Sequence, residues 1–405
     1  MSAIVSKIQS FFFSGDRPQD SLRYMTAGDH IFAFREKGPL WLVCISRCGN
    51  TYQDLVRLLD RVYLQIITIL TKTIESTLEQ RPNYDMRNLL GGTDAVVNNL
   101  LRWCMRDMYL HVDGFESLPM APTQRQIAVE ALRTARMPNV LLGFVMAAQR
   151  IVAMVANRQY KVNATDVTTL LNLILSSGAL RTAESWTPVC LPHLNDRAFI
   201  YAYISFLEDS DVGIVFLSTT HEGEQFYAIS QHATTIKKTL RASGCLQAIN
   251  DSLQLCPLGL QAAKVSEDGS PGAERASARK SANLLLQPFS PAQAKLLDGI
   301  IHAAYFIPST QQFFSSAIAP RYRSERRTEM LFRMYGRCRH LLRTAKLPSQ
   351  ICLATDHECF YTSLATDFHI FLAVPRGIPT GVISLFYQWV KLQEAHVFMG
   401  QVPFW

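Results

Sequence analysis

The sequence lacks any apolar run as long as the ~18 residues that a membrane-spanning helix needs. Its first residues, MSAIVSKIQSFFF, carry one lysine and no small-residue cleavage site, so they predict an amphipathic helix rather than a signal peptide. The nine cysteines are odd in number and scattered along the 405 residues. This usage favours a reduced, cytoplasmic setting over a disulfide framework.

Signatures of catalytic and cofactor sites are also missing. Gly91-Gly92 in LLGGTDAV has neither the lysine nor the spacing of a phosphate-binding loop, and neither GxGxxG nor a nucleophile elbow occurs. Cys44 and Cys48 lie ~13 Å apart along a strand, so we interpret them as buried strand cysteines rather than zinc ligands. A polar hairpin turn explains TDHECFY, around His357, better than a metal site does. We therefore predict no enzymatic activity, no cofactor and no metal.

A pattern of strands and helices recurs three times along the chain. In the first unit, SLRYMTA, HIFAFREK and PLWLVCIS predict three strands, and Thr51 with Asp54 predicts a capped amphipathic helix. A further helix is predicted from MRNLL at residue 86. The second unit has a hairpin, a helix capped by Thr165, three strands and a closing helix, and the third unit repeats that order. We predict an α/β (α+β) fold with three five-stranded antiparallel sheets flanked by helices, the first lacking its leading hairpin.

The same patterns predict domain boundaries. The first domain spans residues 1–118, the second 119–256 and the third 301–405. Residues 257–300 are predicted as a linker, because their central part is rich in Ser, Ala, Gly and charge and lacks aromatic residues. A flexible loop is expected at about 264–283.

Positive charge is concentrated in the third unit. The chain carries a net charge of +7, and the stretch from Arg321 to Lys346 contributes much of it. Apolar residues there predict a buried helix face: Met330, Leu331, Met334, Leu341 and Leu342. The arginines would then lie outside, either as a solvated face or as a contact for lipid headgroups or an acidic protein loop. The candidate contact residues are Arg321, Arg323, Arg326, Arg327 and Arg337.

Four blocks of sequence resemble a known family. AGDHIFAFREKGPLWLVCISR, RPNYDMRNLLGGTDAVVNNLL, ESWTPVCLPHLND and AFIYAYISFLED resemble, in this order, the SAND family of vacuolar fusion proteins, which supplies the Mon-one subunit of the Mon-one–Ccz-one complex. The resemblance runs from about residue 20 to the end and is strongest through residue 220. It implies three longin domains. It also implies a polar N-terminal region and a leading hairpin that this chain lacks.

The resemblance implies a function without covalent chemistry. Members pair with Ccz-one, and the pair is a guanine-nucleotide exchange factor for a late-endosomal and vacuolar GTPase of the Rab-seven type. We therefore expect a peripheral membrane protein of endosomes and vacuoles, acting in endosome maturation, vacuole fusion and autophagy. The expected partners are Ccz-one, the GTPase, an anionic or phosphoinositide membrane and, in metazoa, a third subunit, but not nucleic acid. The alternative is a non-catalytic longin scaffold, tethering or adaptor subunit.

The resembling blocks also supply candidate contact residues. In the family, the first longin domains of the two subunits are expected to pair and to form the GTPase-binding surface jointly. The first domain offers five candidates, for which a helix start is the alternative explanation: Tyr84, Asp85, Arg87, Leu90 and Gly91. The second domain offers Trp186 and Pro188 in ESWTPVCLP, where packing inside the domain is the alternative.

Overall fold

The computed structural model describes residues 22–81, 84, 89–208, 210–254, 289–344 and 349–405. The described part forms three sheets with helices packed against them, which confirms the predicted mixed α/β fold. The amphipathic helix predicted at the start of the chain and the flexible loop predicted at 264–283 lie outside the described residues. None of the helices described combines the length and apolar character that crossing a bilayer requires.

The first sheet is an antiparallel meander backed by one long helix. Its strands are β1 (Tyr24–Ala27), β2 (His30–Lys37) and β3 (Leu40–Ser46), and its helix is α1 (Tyr52–Leu70). Leu55 and Leu59 of α1 pack on Ala33 of β2. The Thr51 side chain accepts a hydrogen bond from the Asp54 backbone N–H at 3.2 Å, so the predicted helix start is confirmed.

Two further helices complete the first unit: α2 (Thr73–Gln80) and α3 (Asp94–Arg106). The helix predicted from residue 86 starts only at Asp94 in the described chain. Gly92 has a φ of +82°, a left-handed conformation that glycine tolerates and that separates the preceding turn from the helix.

The second unit has the predicted five-stranded antiparallel sheet. Its strands are β5 (Val140–Ala147), β6 (Arg150–Ala156), β7 (Ser185–Leu191), β8 (Asn195–Phe206) and β9 (Val212–Ser218), in the spatial order β6-β5-β9-β8-β7. Its helices are α4 (Pro122–Arg133), α5 (Ala164–Ser176), α6 (Gly178–Thr182), α7 (Gly223–Ala242) and α8 (Cys245–Gln254). The cap predicted at Thr165 is wrong. Asn163 caps α5, its side-chain oxygen accepting from the Thr165 N–H at 2.9 Å.

The third sheet contains one strand that the sequence did not indicate. Its strands are β10 (His302–Ile307), β11 (Gln312–Ser315), β12 (Gln350–Ala354), β13 (Glu358–Leu364) and β14 (His369–Pro375). The two-residue β4 (Phe115–Glu116), from the end of the first unit, pairs in parallel with β11. The helices are α9 (Pro291–Asp298), α10 (Glu325–Thr344), α11 (Gly381–Leu392) and α12 (Glu394–Val397). Helix α9 lies inside the stretch predicted as a linker.

Segments of chain cross between the units and hold them together. Just after β4, Ser117 forms a β-bridge with Ile151 of β6, so one segment joins the second and third sheets. At the other end of the sequence, Phe404 forms a bridge with Ala156 of β6. The indole N–H of Trp405 then donates to the Leu132 carbonyl at 3.1 Å. The second unit is therefore enclosed by residues from both of the others.

Candidate functional site

Of the first block of predicted contact residues, the described members Tyr84, Leu90 and Gly91 lie between α2 and α3. The Leu90 carbonyl accepts hydrogen bonds from the backbone and side chain of Thr93, at 3.0 Å and 2.7 Å, and Gly91 is exposed in the turn. The side chain of Tyr84 is 36% exposed. Asp85 and Arg87 lie outside the described residues. Leu90 thus has a local role at the start of α3, and Tyr84 is accessible to a partner.

The second predicted pair lies on β7, an outer strand of the second sheet in the described structure. Trp186 is opposite Tyr203 of β8, and Pro188 is opposite Tyr201. Residues directly opposite each other in an antiparallel pair point to the same face, so all four side chains share one face. A proline fits an outer strand because its missing N–H costs no hydrogen bond to a neighbouring strand.

This face continues into an exposed cluster of aromatic residues. We define the aromatic surface as Trp186, Pro188, Phe199, Tyr201, Phe226 and Tyr227. The Trp186 ring lies 5.9 Å from that of Tyr201 and 6.0 Å from that of Phe226. Tyr227 is 70% exposed and Phe199 43% exposed. Trp186 therefore packs within its domain and also forms the half-buried base of a surface that stays open to solvent.

Four members of the aromatic surface were not predicted from the sequence. Phe199 and Tyr201 belong to the alternating run AFIYAYISF on β8. Phe226 and Tyr227 lie near the start of α7, where Phe226 is half-buried and Tyr227 is exposed. Alternation places Phe199 and Tyr201 on one face of the strand. No local sequence pattern indicates that α7 brings Phe226 against Trp186, because that contact joins residues forty positions apart.

The arginines predicted to contact an anionic surface are all exposed. Two lie before α10 and three lie on it: Arg321, Arg323, Arg326, Arg327 and Arg337. The Arg321 guanidinium lies 5.0 Å from the centre of the Tyr322 ring, and Arg327 donates to the Arg321 carbonyl at 2.8 Å. None of the five makes an ion pair within the described residues, while the acidic residues Glu325 and Glu329 pair instead with Arg106 of α3.

The predicted apolar face of α10 needs two corrections. Leu341 was expected to be buried and is 36% exposed, whereas Arg339 was expected outside and is 3% exposed. Arg339 points into the crossing of α10 with α1, where its Nη2 lies 2.6 Å from Oδ1 of Asp54. Buried apolar positions of α10 pack on the third sheet. A charged residue can occupy this face because a carboxylate from the first unit meets it there.

The loop between β3 and α1 also contacts α10. Arg333 of α10 donates to the carbonyl of Cys48. Cys48 is exposed in this loop and Cys44 is half-buried on β3, so the prediction that both are buried strand residues is wrong for Cys48. Cys48 lies in the loop because β3 ends at Ser46, whose hydroxyl accepts from the Cys48 N–H at 3.2 Å. The first and third units therefore also meet at this loop, beside the Asp54–Arg339 pair.

The polar residues of TDHECFY form the predicted hairpin turn. Asp356 and His357 lie between β12 and β13, and Glu358 begins β13. The Glu358 carboxylate accepts hydrogen bonds from Tyr322 at 2.5 Å and from Thr355 at 2.7 Å. Across the ranges that the structure describes, no three His, Cys, Asp or Glu side chains converge as metal ligands would.

Comparison with known proteins places these features in a family. Two family models match the chain. The model described as "First Longin domain of FUZ, MON1 and HPS1" matches residues 1–100, and the model described as "Second Longin domain of FUZ, MON1 and HPS1" matches residues 138–236. The second match covers the whole sheet β5–β9 and part of α7, and so includes all six residues of the aromatic surface. The first covers the sheet β1–β3 and α1.

Similar proteins occur in animals, plants and fungi. Vacuolar fusion protein MON1 homolog A of Macaca fascicularis is 27% identical over 406 residues, which cover 98% of this chain and 66% of the relative. The MON1 homolog of Arabidopsis thaliana is 28% identical over 417 residues, covering 100% of this chain and 66% of the relative. MON1 of Cryptococcus neoformans is 26% identical over 410 residues, covering 100% of this chain and 61% of the relative.

The chain thus spans slightly less than two thirds of the length of these relatives. The similarity nevertheless extends over nearly all of this chain and includes two separate longin domains. The two matched regions contain the first and second sheets with their flanking helices. The chain belongs to the MON1 family of longin-domain proteins.

Proposed function

We propose that this chain acts in vacuolar fusion traffic as one subunit of a guanine-nucleotide exchange factor. Its partner would be Ccz-one, itself built of longin domains, and its substrate a GTPase of the Rab-seven type on late endosomes and vacuoles. The relatives are named vacuolar fusion proteins. Endosome maturation, vacuole fusion and autophagy are the processes in which such an exchange factor would operate.

The aromatic surface is the observation that carries a role in protein binding. Tyrosine and tryptophan are enriched where proteins bind each other, because one ring combines a large apolar area with few rotatable bonds. Tyr227 and Phe199 leave much of their rings in water, and exposed apolar area of this kind favours a partner that covers it. The surface lies beside β7, so a partner can contact rings and strand together.

The first sheet supports pairing with a second longin subunit. Beside its outer strands β1 and β3, no further strand lies in the described part of the chain. Unpaired strand edges attract additional strands, and Ile45 of β3 is 49% exposed on the face turned away from α1. A joint sheet or layer with the first domain of Ccz-one would cover these groups and create the GTPase-binding surface.

Exchange by such a complex requires only differential binding. A protein that binds the nucleotide-free GTPase more tightly than the GDP-bound form shifts the population towards nucleotide release. Each tenfold difference in affinity corresponds to ~1.4 kcal/mol. Displacement of the switch segment that holds Mg²⁺ and phosphate would supply the release step. No nucleophile, acid or base is needed for it.

The direct test is release of fluorescent GDP from a Rab-seven-type GTPase. We expect acceleration by this chain co-purified with Ccz-one and none by either protein alone, because the binding surface needs both first domains. The unrelated control is a GTPase of a different Rab class. A stable pair that leaves GDP release at its intrinsic rate would contradict exchange activity and favour the alternative, a tethering or adaptor scaffold.

We expect Tyr227→Ala to weaken GTPase or Ccz-one binding by about tenfold, because a central aromatic residue in an interface contributes about 1–2 kcal/mol. Tyr227 is largely exposed, so the unfolding temperature should not change. Leu392→Ala is the matched control, since Leu392 is 59% exposed on α11, in the third unit. Affinity measured by titration calorimetry for each partner separately identifies which one contacts the surface. If Tyr227→Ala and Leu392→Ala bind each partner with the same affinity, the aromatic surface is not a binding site for either partner.

Membrane recruitment is proposed for the arginines at and before α10. Near an anionic bilayer each basic residue contributes about 1 kcal/mol. The double substitution of Arg326 and Arg337 by glutamine is therefore expected to weaken vesicle binding by roughly thirtyfold. Co-sedimentation with phosphatidylserine vesicles measures the effect. Arg241→Gln is the control, because Arg241 lies on α7 and pairs with Glu208. Unchanged sedimentation of the double variant would indicate a merely solvated helix face.

A further inference from the structure

The crossing of α1 and α10 carries more positive than negative charge. Four arginines and two aspartates meet there: Arg57 and Arg61 of α1, Arg339 and Arg343 of α10, Asp54 of α1 and Asp113 of the segment before β4. Their formal charges sum to 4 − 2 = +2. This excess lies between two helices of different units rather than on a single solvated helix face.

Three of the four arginines are bound by neighbouring groups. Arg339 pairs with Asp54 at 2.6 Å and is buried with it. Arg57 and Arg61 both donate to Oδ1 of Asp113, at 2.9 Å and 2.8 Å. They also donate to the backbone carbonyls of Leu110 and Val112, at 3.0 Å and 3.2 Å. The group of two arginines around Asp113 therefore has a net charge of +1.

Arg343 supplies the second uncompensated charge. Its guanidinium makes no ion pair and no hydrogen bond with the described residues. Partial burial and then the charge of Arg57 lower the pKa of Arg343, while Asp113 and Asp54 act in the opposite direction. Arg57 and Arg339 both donate to the Leu110 carbonyl, at 3.0 Å and 3.1 Å, and Arg343 follows Arg339 by one helical turn on the same side of α10. The carboxylates of Asp54 and Asp113 already pair with other arginines.

The arginines also influence the pKa values of neighbouring groups, in addition to the effect of burial. Burial lowers the pKa of His369, at the start of β14, to about 4, and Arg343 and Arg339 contribute to the shift. Burial alone would raise the pKa of Asp113, but Arg57 and Arg61 hold it below its usual value. Buried His111, with its pKa lowered to about 3 by burial and by Arg339, faces the crossing as a neutral group.

We propose that Arg57 and Arg343 form a binding site for a phosphate group at this crossing. A phosphate monoester carries a charge of about −1.5 to −2 at neutral pH, which matches the +2 excess, whereas a carboxylate would compensate half of it. Guanidinium groups suit phosphate because their N–H groups donate in pairs to its oxygens. The site is open to solvent, since Arg343 is exposed and the side chain of Asp113 is 61% exposed.

Such a site would connect the units that meet at the crossing. A phosphate bound by Arg57 of α1 and Arg343 of α10 would bridge the first and third units and would be attracted by both guanidinium charges. Binding of the ligand should therefore stabilise the folded chain by mass action.

Titration of the full chain with inorganic phosphate tests the site. We expect phosphate to raise the unfolding temperature of the wild-type chain, and we expect Arg343→Gln to weaken phosphate binding at least tenfold, because a charge-assisted hydrogen-bond pair is lost. Without phosphate the variant should be as stable as the wild type, since Arg343 has no partner to lose. Arg241→Gln is the control, because Arg241 lies on α7 in the second unit and pairs with Glu208. Absence of a phosphate effect in the wild type, or an equal effect in Arg343→Gln, would overturn the proposal.

A second experiment, on vesicle binding, distinguishes a lipid headgroup from a free phosphate compound as the ligand. Vesicles containing a phosphatidylinositol monophosphate are compared with phosphatidylserine vesicles of equal charge. Weaker binding of Arg343→Gln to the first kind alone would identify a lipid headgroup as the ligand. Equal vesicle binding by wild type and variant, together with the loss in the phosphate titration, would identify a free phosphate compound. Loss of binding to both vesicle types without loss in the titration would contradict a phosphate site.

Discussion

Gly336→Ala is expected to destabilise the chain by about 3 kcal/mol, as breaking a buried ion pair does. A β-carbon built on Gly336 would lie 2.3 Å from Oδ2 and 2.9 Å from Cγ of Asp54. The Asp54 carboxylate cannot move aside freely, because it accepts from the Thr51 hydroxyl at 2.7 Å and pairs with Arg339. Either the pair breaks inside the protein or α1 and α10 separate. Thermal unfolding followed by circular dichroism should show a decrease of several degrees.

A double-mutant cycle assigns this loss to the contact itself. Asp54→Ala removes the atoms that the new methyl group would meet, so Gly336→Ala should cost little in that background. Gly223→Ala is the matched control, because nothing lies within 4 Å of a β-carbon at the first residue of α7. An equal cost of Gly336→Ala with and without Asp54 would show that helix propensity or another contact, rather than the crossing, determines the result.

Arg125→Met is the second substitution with a large expected effect. Arg125, on α4, is 5% exposed and donates to the carbonyls of Val152 at 3.0 Å, Leu118 at 2.9 Å and His396 at 2.8 Å. These carbonyls belong to β6, to the segment before α4 and to α12. Methionine fills much of the same volume but removes all three hydrogen bonds, at a cost of about 1 kcal/mol or more for each. The His396 carbonyl keeps the Met120 N–H as a donor at 2.9 Å, so the loss of the Arg125 donor weighs most on Val152 and Leu118. We expect a loss of about 3 kcal/mol.

Loss of the Arg125 hydrogen bonds should also change the order in which the units unfold. Because Arg125 ties the third unit to the second, Arg125→Met should increase proteolysis or amide hydrogen exchange around α12 before the second sheet unfolds. Arg133→Met, on the same helix, is the control, since Arg133 makes only an exposed ion pair with Glu130 and should change stability by less than about 0.5 kcal/mol. Equal effects of the two substitutions would mean that the three carbonyls are compensated by water.

The three sheets were predictable because local signals dominate them. Alternating apolar residues, the Thr51 cap and short turns indicated strands and helices that the structure contains. The sequence block around Trp186 and Pro188 singled out two residues whose role in partner binding stays a prediction. Contacts between units were not predictable. The pairing of β4 with β11 involves two residues without any repeat, and the burial of Arg339 depends on Asp54, which is 285 positions away. The cap of α5 is Asn163 rather than the predicted Thr165. Both residue types can cap a helix, and only the position of the first helical turn decides between them.

The closure of β6 by the end of the sequence has a consequence for synthesis on the ribosome. Phe404 follows its bridge partner Ala156 by 404 − 156 = 248 residues. At about 5–20 residues per second, translation leaves this strand edge without that cover for roughly 12 to 50 seconds after β6 has been made. An open edge during that interval is a site for pairing with other nascent chains. Ser117, which is made before β6, can contact this edge only at Ile151, so the Ala156 end stays open until the third unit is complete. Slower translation of the third unit would lengthen that interval.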